Sequence, residues 1–222
     1  MEKEHNLFDF ISVRYRDVID IPNLSVGRGI TTLFGPSGGG KTTILKMLNR
    51  MVSPTEGKIF YNSTPLVETN PVEHRRRVVM LSQNPVMFEG SIHDNLNAPF
   101  KFQKRPFPHD SAIYQVLESV GLDKNLKTTV NVLSGGEKQR LALARIILLQ
   151  PEVFLLDEPS SALDADSADI VIETICHKAR IEKKSIIMVT HSKTIARKYS
   201  DIIIRVAQGK ITGQELNDER GS

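Results

Sequence analysis

The sequence contains a single cysteine, no long apolar run and almost no excess of charge. Cys176, being alone, excludes an intrachain disulfide and fits a reducing compartment. No apolar run approaches the roughly 18 residues that a membrane-spanning helix needs. The charged segment 1–6 lacks the apolar core of a signal peptide. We therefore expect a soluble, cytoplasmic protein, which would reach a membrane only by docking on another chain.

The charge balance argues against a nucleic-acid partner. The formal net charge is +3, from 29 basic and 26 acidic residues, whereas a dedicated nucleic-acid binder is strongly basic. The run Arg75–Arg77 has no interleaved aromatic side chains, and we interpret it as the solvated end of a helix. Most of the histidines show no metal-ligand spacing. These are His5, His74, His93, His109 and His177.

One glycine-rich segment has a recognisable chemistry. It follows the pattern Gly-x-x-x-x-Gly-Lys-[Ser/Thr], in which backbone N–H groups turn inward around a phosphate. Lys41 can neutralise phosphate charge, and Thr42 offers a hydroxyl to Mg²⁺. The residues expected to bind the nucleotide here are Gly35, Pro36, Ser37, Gly38, Gly39, Gly40, Lys41, Thr42 and Thr43.

The flanking segments are those that a phosphate-binding loop requires. Residues 30–34 are β-branched or apolar, as is typical of a buried strand. After the loop, Ile44, Leu45 and Leu48 recur at helical spacing. Strand, loop and helix therefore occur in the right order. A glycine-rich turn that merely precedes a lysine is the weaker interpretation.

Two acidic residues follow a second apolar segment. Residues 153–156 predict a buried strand of a parallel sheet, and ligands bind beyond the carboxyl ends of such strands. Asp157 is placed to hold Mg²⁺, and Glu158 to act as a general base on water. Alone, this pattern is a weak signal. Downstream of a phosphate-binding loop it supplies the second half of a Mg–nucleotide site.

A third segment, 133–140, reads Leu-Ser-Gly-Gly-Glu-Lys-Gln-Arg. Ser134, Gly135 and Gly136 precede a long helix, so a hydroxyl and free N–H groups can bind an anion. Local physics alone favours an ordinary helix cap. Together, however, the three segments resemble the Walker A, Walker B and signature motifs of the ATP-binding-cassette (ABC) ATPases. The resemblance extends over about residues 8–211.

The resemblance implies roles for further residues. Gln83 stands where the family has its Q-loop glutamine, and His191 where it has the switch histidine that steadies the γ-phosphate. Tyr15 matches the aromatic residue that stacks on adenine. Glu137 replaces a glutamine that is common in the signature motif, which is a mild change. The resemblance thus implies ATP and Mg²⁺ as cofactors, with catalytic residues Lys41, Glu158 and His191 and metal ligands Thr42, Gln83 and Asp157.

The same resemblance implies an assembly. It is a head-to-tail homodimer that sandwiches two ATP molecules between the Walker A segment of one copy and the signature segment of the other. Ser134, Gly135 and Gly136 would then act on ATP held by the second copy. The helix cap at Ser134 supports this, because it supplies anion-binding groups that the chain's own phosphate loop does not need.

The alternation of strands and helices predicts an α/β fold with a mostly parallel sheet. The resemblance adds an N-terminal antiparallel β subdomain and a helical insertion. We expect a single domain over 1–222, with a nucleotide-binding core at about 1–83 and 151–222 and a helical subdomain at about 84–150. Three local expectations are an interrupted strand at Pro22, proline-broken structure around Pro99, and a frayed polar tail from Glu215.

Two functions fit these observations. The favoured one is the ATP-hydrolysing subunit of a transporter, peripheral on the cytoplasmic face of the membrane and docked on separate integral-membrane subunits. The alternative is a soluble, non-transport ABC ATPase, for example of the cluster-assembly type. Residues 128–132 lack the pattern typical of exporter cassettes, which favours an importer-type system or one linked to a metal or an anion. The cargo is not encoded in this subunit, since the family's ATPases do not contact it.

Overall fold

The structure is a computed structural model that describes residues 6–217. Segment 1–5, to which most of the signal-peptide argument applies, lies outside the described residues. The strands are β1 (Phe8–Tyr15), β2 (Ile19–Val26), β3 (Ile30–Phe34), β4 (Glu56–Tyr61), β5 (Thr64–Pro65), β6 (Val78–Leu81), β7 (Val153–Asp157), β8 (Ser185–Thr190), β9 (Ile202–Ala207) and β10 (Lys210–Leu216). The helices are α1 (Lys41–Leu48), α2 (Pro71–Arg77), α3 (Ile92–Gln103), α4 (Asp110–Ser119), α5 (Gly135–Leu149), α6 (Ala165–Ile181) and α7 (Lys193–Tyr199).

Six strands form the central sheet, in the order β10-β9-β3-β8-β7-β6. Neighbouring strands are parallel, except that β10 runs antiparallel to β9. Strands β7 and β8 are buried along their whole length, as expected of parallel strands covered by helices on both faces. The predicted α/β fold is therefore confirmed.

A second, antiparallel sheet has the order β2-β1-β4-β5, in agreement with the expected N-terminal antiparallel region. Strand β2 is continuous, so the predicted interruption at Pro22 is wrong. Proline is tolerated because β2 lies at the edge of this sheet, where a missing N–H need not break a ladder.

Helix α3 contradicts the expectation that prolines break up this part of the chain. Pro99 lies inside the helix, where it removes one backbone donor. The helix nevertheless begins with a capping box between Ser91 and Asp94, and it buries Ile92 and Leu96 completely. Capping and burial together outweigh the local cost of the proline.

Two apolar cores hold the layers together. One includes Phe8, Leu45 and Leu155, so it joins the antiparallel sheet and α1 to the central sheet. The other includes Leu143 and Ile172, so it joins the helices of the opposite layer to the same sheet. Strands β3, β8 and β7 lie side by side between these cores. The segments that follow them therefore leave the sheet at one edge.

The single cysteine belongs to the second core. Cys176 is 1% exposed, and burial raises the pKa of its thiol to about 12. A thiol of this kind stays protonated at neutral pH and is unreactive. Among residues 6–217, no helix combines the length and apolar character needed to cross a bilayer.

Strand β10 corrects the expectation of a frayed tail from Glu215 onward. It pairs with β9 as far as Leu216, which lies opposite Ile202. Residues 218–222 lie outside the described range. Most of β10 is exposed, so its composition resembles that of a surface tail, and its pairing with β9 determines the structure.

The turn between β9 and β10 supports the glycine-rich loop. The Gly209 N–H donates to the carbonyl oxygen of Gly39 at 3.0 Å, and the Asp20 N–H donates to the carbonyl oxygen of Gly209 at 2.9 Å. Gly209 has a φ of +73°, and a Cβ there would lie 2.0 Å from the carbonyl oxygen of Val18. The turn can bridge the loop and β2 only because Gly209 has no side chain.

We predict that Gly209→Ala lowers the free energy of unfolding by about 1–3 kcal/mol, because it forces alanine into a left-handed conformation and a backbone collision. Urea denaturation followed by circular dichroism measures the change. Gly213→Ala is the matched control, since a Cβ there meets only the Cδ of Arg205, at 3.9 Å. Equal effects of the two substitutions would contradict the close contact at Gly209.

Candidate active site

The glycine-rich loop lies between β3 and α1, as predicted. Gly40 is the N-cap of α1 with a φ of +98°, and a Cβ at Gly35 would lie 2.0 Å from the carbonyl oxygen of Val206. These are close backbone contacts that only glycine permits. The first N–H groups of α1 have no acceptor within the helix, so this end of α1 attracts anions.

Lys41, the first residue of α1, is only 6% exposed. Its ammonium group donates to the carbonyl oxygens of Gly35 and Pro36, at 2.8 and 2.7 Å. Such partners are needed because burial of an unpaired charge is costly. The loop thus keeps a positive charge at its centre, within reach of an anion bound by the same backbone.

Thr42 and Asp157 join the loop to the end of β7. The Thr42 hydroxyl donates to Asp157 Oδ1 at 3.0 Å. Asp157 is 3% exposed, and burial raises the pKa of its carboxyl, against the lowering effect of the Thr42 hydrogen bond. A hydroxyl beside a carboxylate is a set of hard oxygen ligands, which Mg²⁺ prefers.

Glu158 and His191 face each other across the same edge of the sheet. Nδ1 of His191 lies 3.0 Å from Oε2 of Glu158, and the two side chains are 74% and 13% exposed. The Glu158 N–H donates to the carbonyl oxygen of Val189 at 3.0 Å. Glu158 has a φ of +48°, a conformation that is uncommon outside glycine and that clusters at functional positions.

These groups line one cavity of about 440 Å³. The cavity brings together most of the predicted site residues, and it includes Gln83 from the segment after β6. Its lining residues are Val18, Ser37, Gly38, Gly39, Gly40, Lys41, Thr42, Thr43, Gln83, Asp157, Glu158, Val189 and His191.

Six residues predicted from the sequence are not among the described residues that line this cavity, and three of these are Gly35, Pro36 and Tyr15. Gly35 and Pro36 contact Lys41 instead, through their carbonyl oxygens. Tyr15 lies at the end of β1, with the guanidinium of Arg16 5.2 Å from its ring centroid. The carbonyl oxygen of Tyr15 accepts the N–H of Val18 at 3.1 Å, so the tyrosine adjoins one wall of the cavity.

The signature segment is also absent from the described lining of the cavity. Ser134 is the N-cap of α5: its hydroxyl accepts the Glu137 N–H at 3.2 Å, while the Glu137 carboxylate accepts the Ser134 N–H at 2.8 Å. The latter hydrogen bond lowers the pKa of Glu137. A Cβ at Gly135 would meet no atom within 4 Å. The start of α5 is therefore capped internally yet open on its outer side.

A second cavity of about 520 Å³ lies beside β6, and we call it the α2–α3 groove. Arg145 lies in it, and its Nη2 donates to the carbonyl oxygen of Val86 at 2.9 Å. Nη1 of Arg145 is buried without a hydrogen-bond partner among the described residues, and burial lowers the pKa of the guanidinium. The groove is lined by Val72, Arg75, Arg76, Val79, Met80, Leu81, Ser82, Pro85, Val86, Phe88, Pro99, Phe102, Gln103, Arg145, Ile146 and Leu149.

Similarity to known proteins identifies the family. Residues 20–161 match the family described as ABC transporter. The chain belongs to this family. The resemblance seen in the three motifs is thereby confirmed, and the chain is an ABC ATPase domain, which binds and hydrolyses ATP.

Related ABC proteins cover most of the chain. It is 37% identical to ABC transporter I family member 17 of Arabidopsis thaliana over 195 aligned residues. The alignment covers 87% of this chain and 72% of that protein. It is 36% identical to the phosphate import ATP-binding protein PstB of Mycoplasmoides gallisepticum over 203 aligned residues. The alignment covers 85% of this chain and 62% of that protein. A bacterial Atm1-family ABC exporter with ATP bound has the same fold, with a TM-score of 0.84 at 24% identity, over 98% of this chain and 40% of the exporter.

The sequence left some parts of this ABC site unpredicted. Val18 and Val189 line the cavity, and Gly209 supports its loop. No local motif marks these positions, because strand pairing and turn packing bring them to the site. The run Arg75–Arg77 ends a helix, as predicted, but two of its arginines also line the α2–α3 groove.

We predict that Lys41→Ala weakens ATP binding by this ABC ATPase about 10- to 100-fold, because a hydrogen bond to a charged group contributes about 1.5–3 kcal/mol. Isothermal titration calorimetry with ATP measures the affinity. Lys46→Ala is the control, since Lys46 lies on the same helix but is not among the lining residues of the cavity. Wild-type affinity in the Lys41→Ala variant would remove this lysine from the site.

Proposed function

We propose that this ABC ATPase drives a membrane transporter from its cytoplasmic face, by closing and reopening a head-to-tail dimer around two Mg–ATP. The observation that carries the proposal is the separation of two anion-binding elements. The phosphate loop lines the 440 Å³ cavity, whereas the capped, outward-facing start of α5 is not among its described lining. A second copy of the chain is what brings such an element to the bound ATP.

In this proposal the cavity binds the nucleotide through the positive charge of Lys41 and through backbone N–H groups. Lys41 exchanges its carbonyl partners for phosphate oxygens, and the N–H groups of the glycine-rich loop bind the same phosphates. Thr42, Gln83 and Asp157 supply oxygen ligands for Mg²⁺. The metal contributes neutralisation of phosphate charge. Tyr15 contacts the adenine from beside Val18.

Glu158 orients the attacking water and accepts its proton, and His191 contacts the γ-phosphate. The 3.0 Å contact between the two side chains supports this pairing of roles. The half-buried glutamate stays close to its strand, whereas the exposed histidine can turn from the glutamate to the phosphate. Hydrolysis then removes the anion on which both copies converge, and the dimer reopens.

The second copy contributes its signature segment to each site. Gly135 and Gly136 are the first two helical residues of α5, so their N–H groups belong to the set that a helix leaves without internal acceptors. The open space at Gly135 lets a phosphate approach that backbone. Ser134 closes the helix start beside it. The partner ATP is therefore bound by the helix end rather than by a charged side chain.

The proposed membrane partner docks in the α2–α3 groove, which the predicted core and the helical subdomain at about 84–150 form together. The apolar side chains of Val86 and Phe102 lie there beside three arginines, Arg75, Arg76 and Arg145. A short amphipathic helix with apolar residues and a carboxylate complements this surface. The buried, unpaired Nη1 of Arg145 supports an acceptor on the partner. Because the relatives include both an import protein and an exporter, the proposal covers either direction of transport.

The dimer can be tested with Glu158→Gln. This variant keeps the size of the side chain but removes the base, so we predict that it binds ATP, hydrolyses it at least about 100-fold more slowly, and accumulates as a dimer. Size-exclusion chromatography with and without ATP, together with a phosphate-release assay, measures both effects. The wild-type chain without ATP is expected to elute as a monomer.

The control combines Glu158→Gln with Lys41→Ala. The double variant cannot hold ATP tightly, so it should stay monomeric at ATP concentrations that dimerise the single variant. A dimer that forms equally with and without ATP would contradict the proposal that nucleotide joins the two copies. Normal turnover in Glu158→Gln would take the base role away from this residue.

The membrane partner can be tested through charge in the groove. We predict that affinity-tagged wild-type protein isolates an integral-membrane protein from detergent-solubilised membranes of its source cells, and that Arg76→Glu loses it, because the carboxylate repels the proposed acidic helix. Mass spectrometry of the eluates identifies the partner. Lys58→Glu is the control, since Lys58 is exposed and does not line the groove. A stable complex with soluble proteins only would contradict the transporter function.

A further inference from the structure

Gln139 connects the signature helix α5 to the loop after Glu158. It is only 2% exposed, and its Nε2 donates to the carbonyl oxygen of Pro159 at 3.1 Å. Burial of a polar side chain is tolerated when its hydrogen bonds are made, since an unpaired group costs about 1–3 kcal/mol. Pro159 directly follows Glu158. A single buried hydrogen bond therefore ties α5 to the peptide beside the proposed base.

The backbone of Glu158 is held by two further hydrogen bonds. Its N–H donates to the carbonyl oxygen of Val189 at 3.0 Å, and its carbonyl oxygen accepts the N–H of Ser161 at 3.1 Å. Pro159 has no N–H with which to add a further anchor. Glu158 also has the left-handed φ of +48°, which persists only when the surroundings determine it. The loop 159–163 is therefore held between β8 and α5.

Gly136 makes a second contact between α5 and this loop. A Cβ at Gly136 would lie 3.1 Å from the carbonyl oxygen of Ala162 and 3.2 Å from Cδ2 of Leu163. Packing this close leaves no room for the start of α5 to shift toward the loop without displacing it. The helix and the loop thus move together at two points, one polar and buried, the other a backbone contact.

We propose that Gln139 is a positioning residue that couples the two ATP sites of the dimer. This inference rests on the proposed head-to-tail dimer. The start of α5 contacts the ATP of the partner copy, while Glu158 of the same chain acts on the ATP in its own cavity. Through Gln139 and Pro159, engagement of the partner's ATP sets the position of Glu158. In each chain, Glu158 therefore reaches its catalytic position only when the signature segment of that same chain contacts the ATP held by the partner copy.

Mixed dimers with one active glutamate test the direction of this coupling. One copy keeps Glu158 and the other carries Glu158→Gln, and two different affinity tags isolate the mixed species. Gln139→Leu is then placed either in the copy with Glu158 or in the copy without it. Single-turnover phosphate release is expected to fall about ten-fold in the first arrangement, within the range of misplaced catalytic groups, and to stay at the wild-type rate in the second.

The opposite pattern would overturn the inference. If Gln139 only shaped the signature segment, the loss would appear when Gln139→Leu lies in the copy that lends its signature to the active site. Equal losses in both arrangements would also contradict a link within one chain. If Glu158→Gln forms no ATP-dependent dimer at all, the proposed function fails instead, so the two failures are distinguishable.

Two control variants distinguish the proposed role of Gln139 from a general loss of stability. Gln139→Glu keeps the size of the side chain while removing the donor, and it should repeat the asymmetric loss. Asn49→Leu removes a comparable buried amide, which is 4% exposed and donates to the carbonyl oxygen of Val78 at 2.6 Å. It is expected to lower the melting temperature about as much as Gln139→Leu without making turnover depend on which copy carries it. An asymmetric effect of Asn49→Leu would contradict a special role for Gln139.

Discussion

The site depends on the register of three parallel strands. β3 pairs with β8 so that Phe34 lies opposite Thr190, and β8 pairs with β7 so that Val189 lies opposite Asp157. The three strands therefore end almost level, and the segments after them meet at one edge of the sheet. One is the glycine-rich loop, another carries Glu158, and the third is His191. Backbone pairing, rather than contact between the charged side chains, sets the spacing of the site.

This edge concentrates charge in a place that water reaches poorly. The Lys41 ammonium is compensated by carbonyl oxygens of its own loop, and the Asp157 carboxylate by the Thr42 hydroxyl. Both are neutral partners, which phosphate oxygens and a divalent cation can replace with stronger ones. The raised pKa of Asp157 reflects the cost of keeping a carboxylate buried. A cation bound in the proposed Mg²⁺ site would offset that cost.

The sequence alone predicted those features whose residues lie close together in the chain. The phosphate loop, the acidic pair at the end of β7 and the cap at Ser134 are each formed by residues close together in the chain, and each follows known chemistry. It was insufficient where tertiary contacts override composition. Pro99 lies inside α3 because capping and burial hold that helix. Strand β10 exists because β9 offers it a free edge, and the α2–α3 groove combines segments that are far apart in the chain.

Helix α5 connects three parts of the proposed transporter subunit: the signature segment, the loop after Glu158 and the α2–α3 groove. Its 15 residues span about 22 Å at 1.5 Å per residue. The signature segment lies at its start, Gln139 contacts the loop after Glu158 one turn later, and Arg145 and Leu149 reach the α2–α3 groove near its end. A well-packed helix moves as one body, so a partner docked in the groove cannot shift α5 without also shifting the contact at Pro159. The coupling between membrane partner and hydrolysis then needs no relay of side chains, only a helix that has two positions.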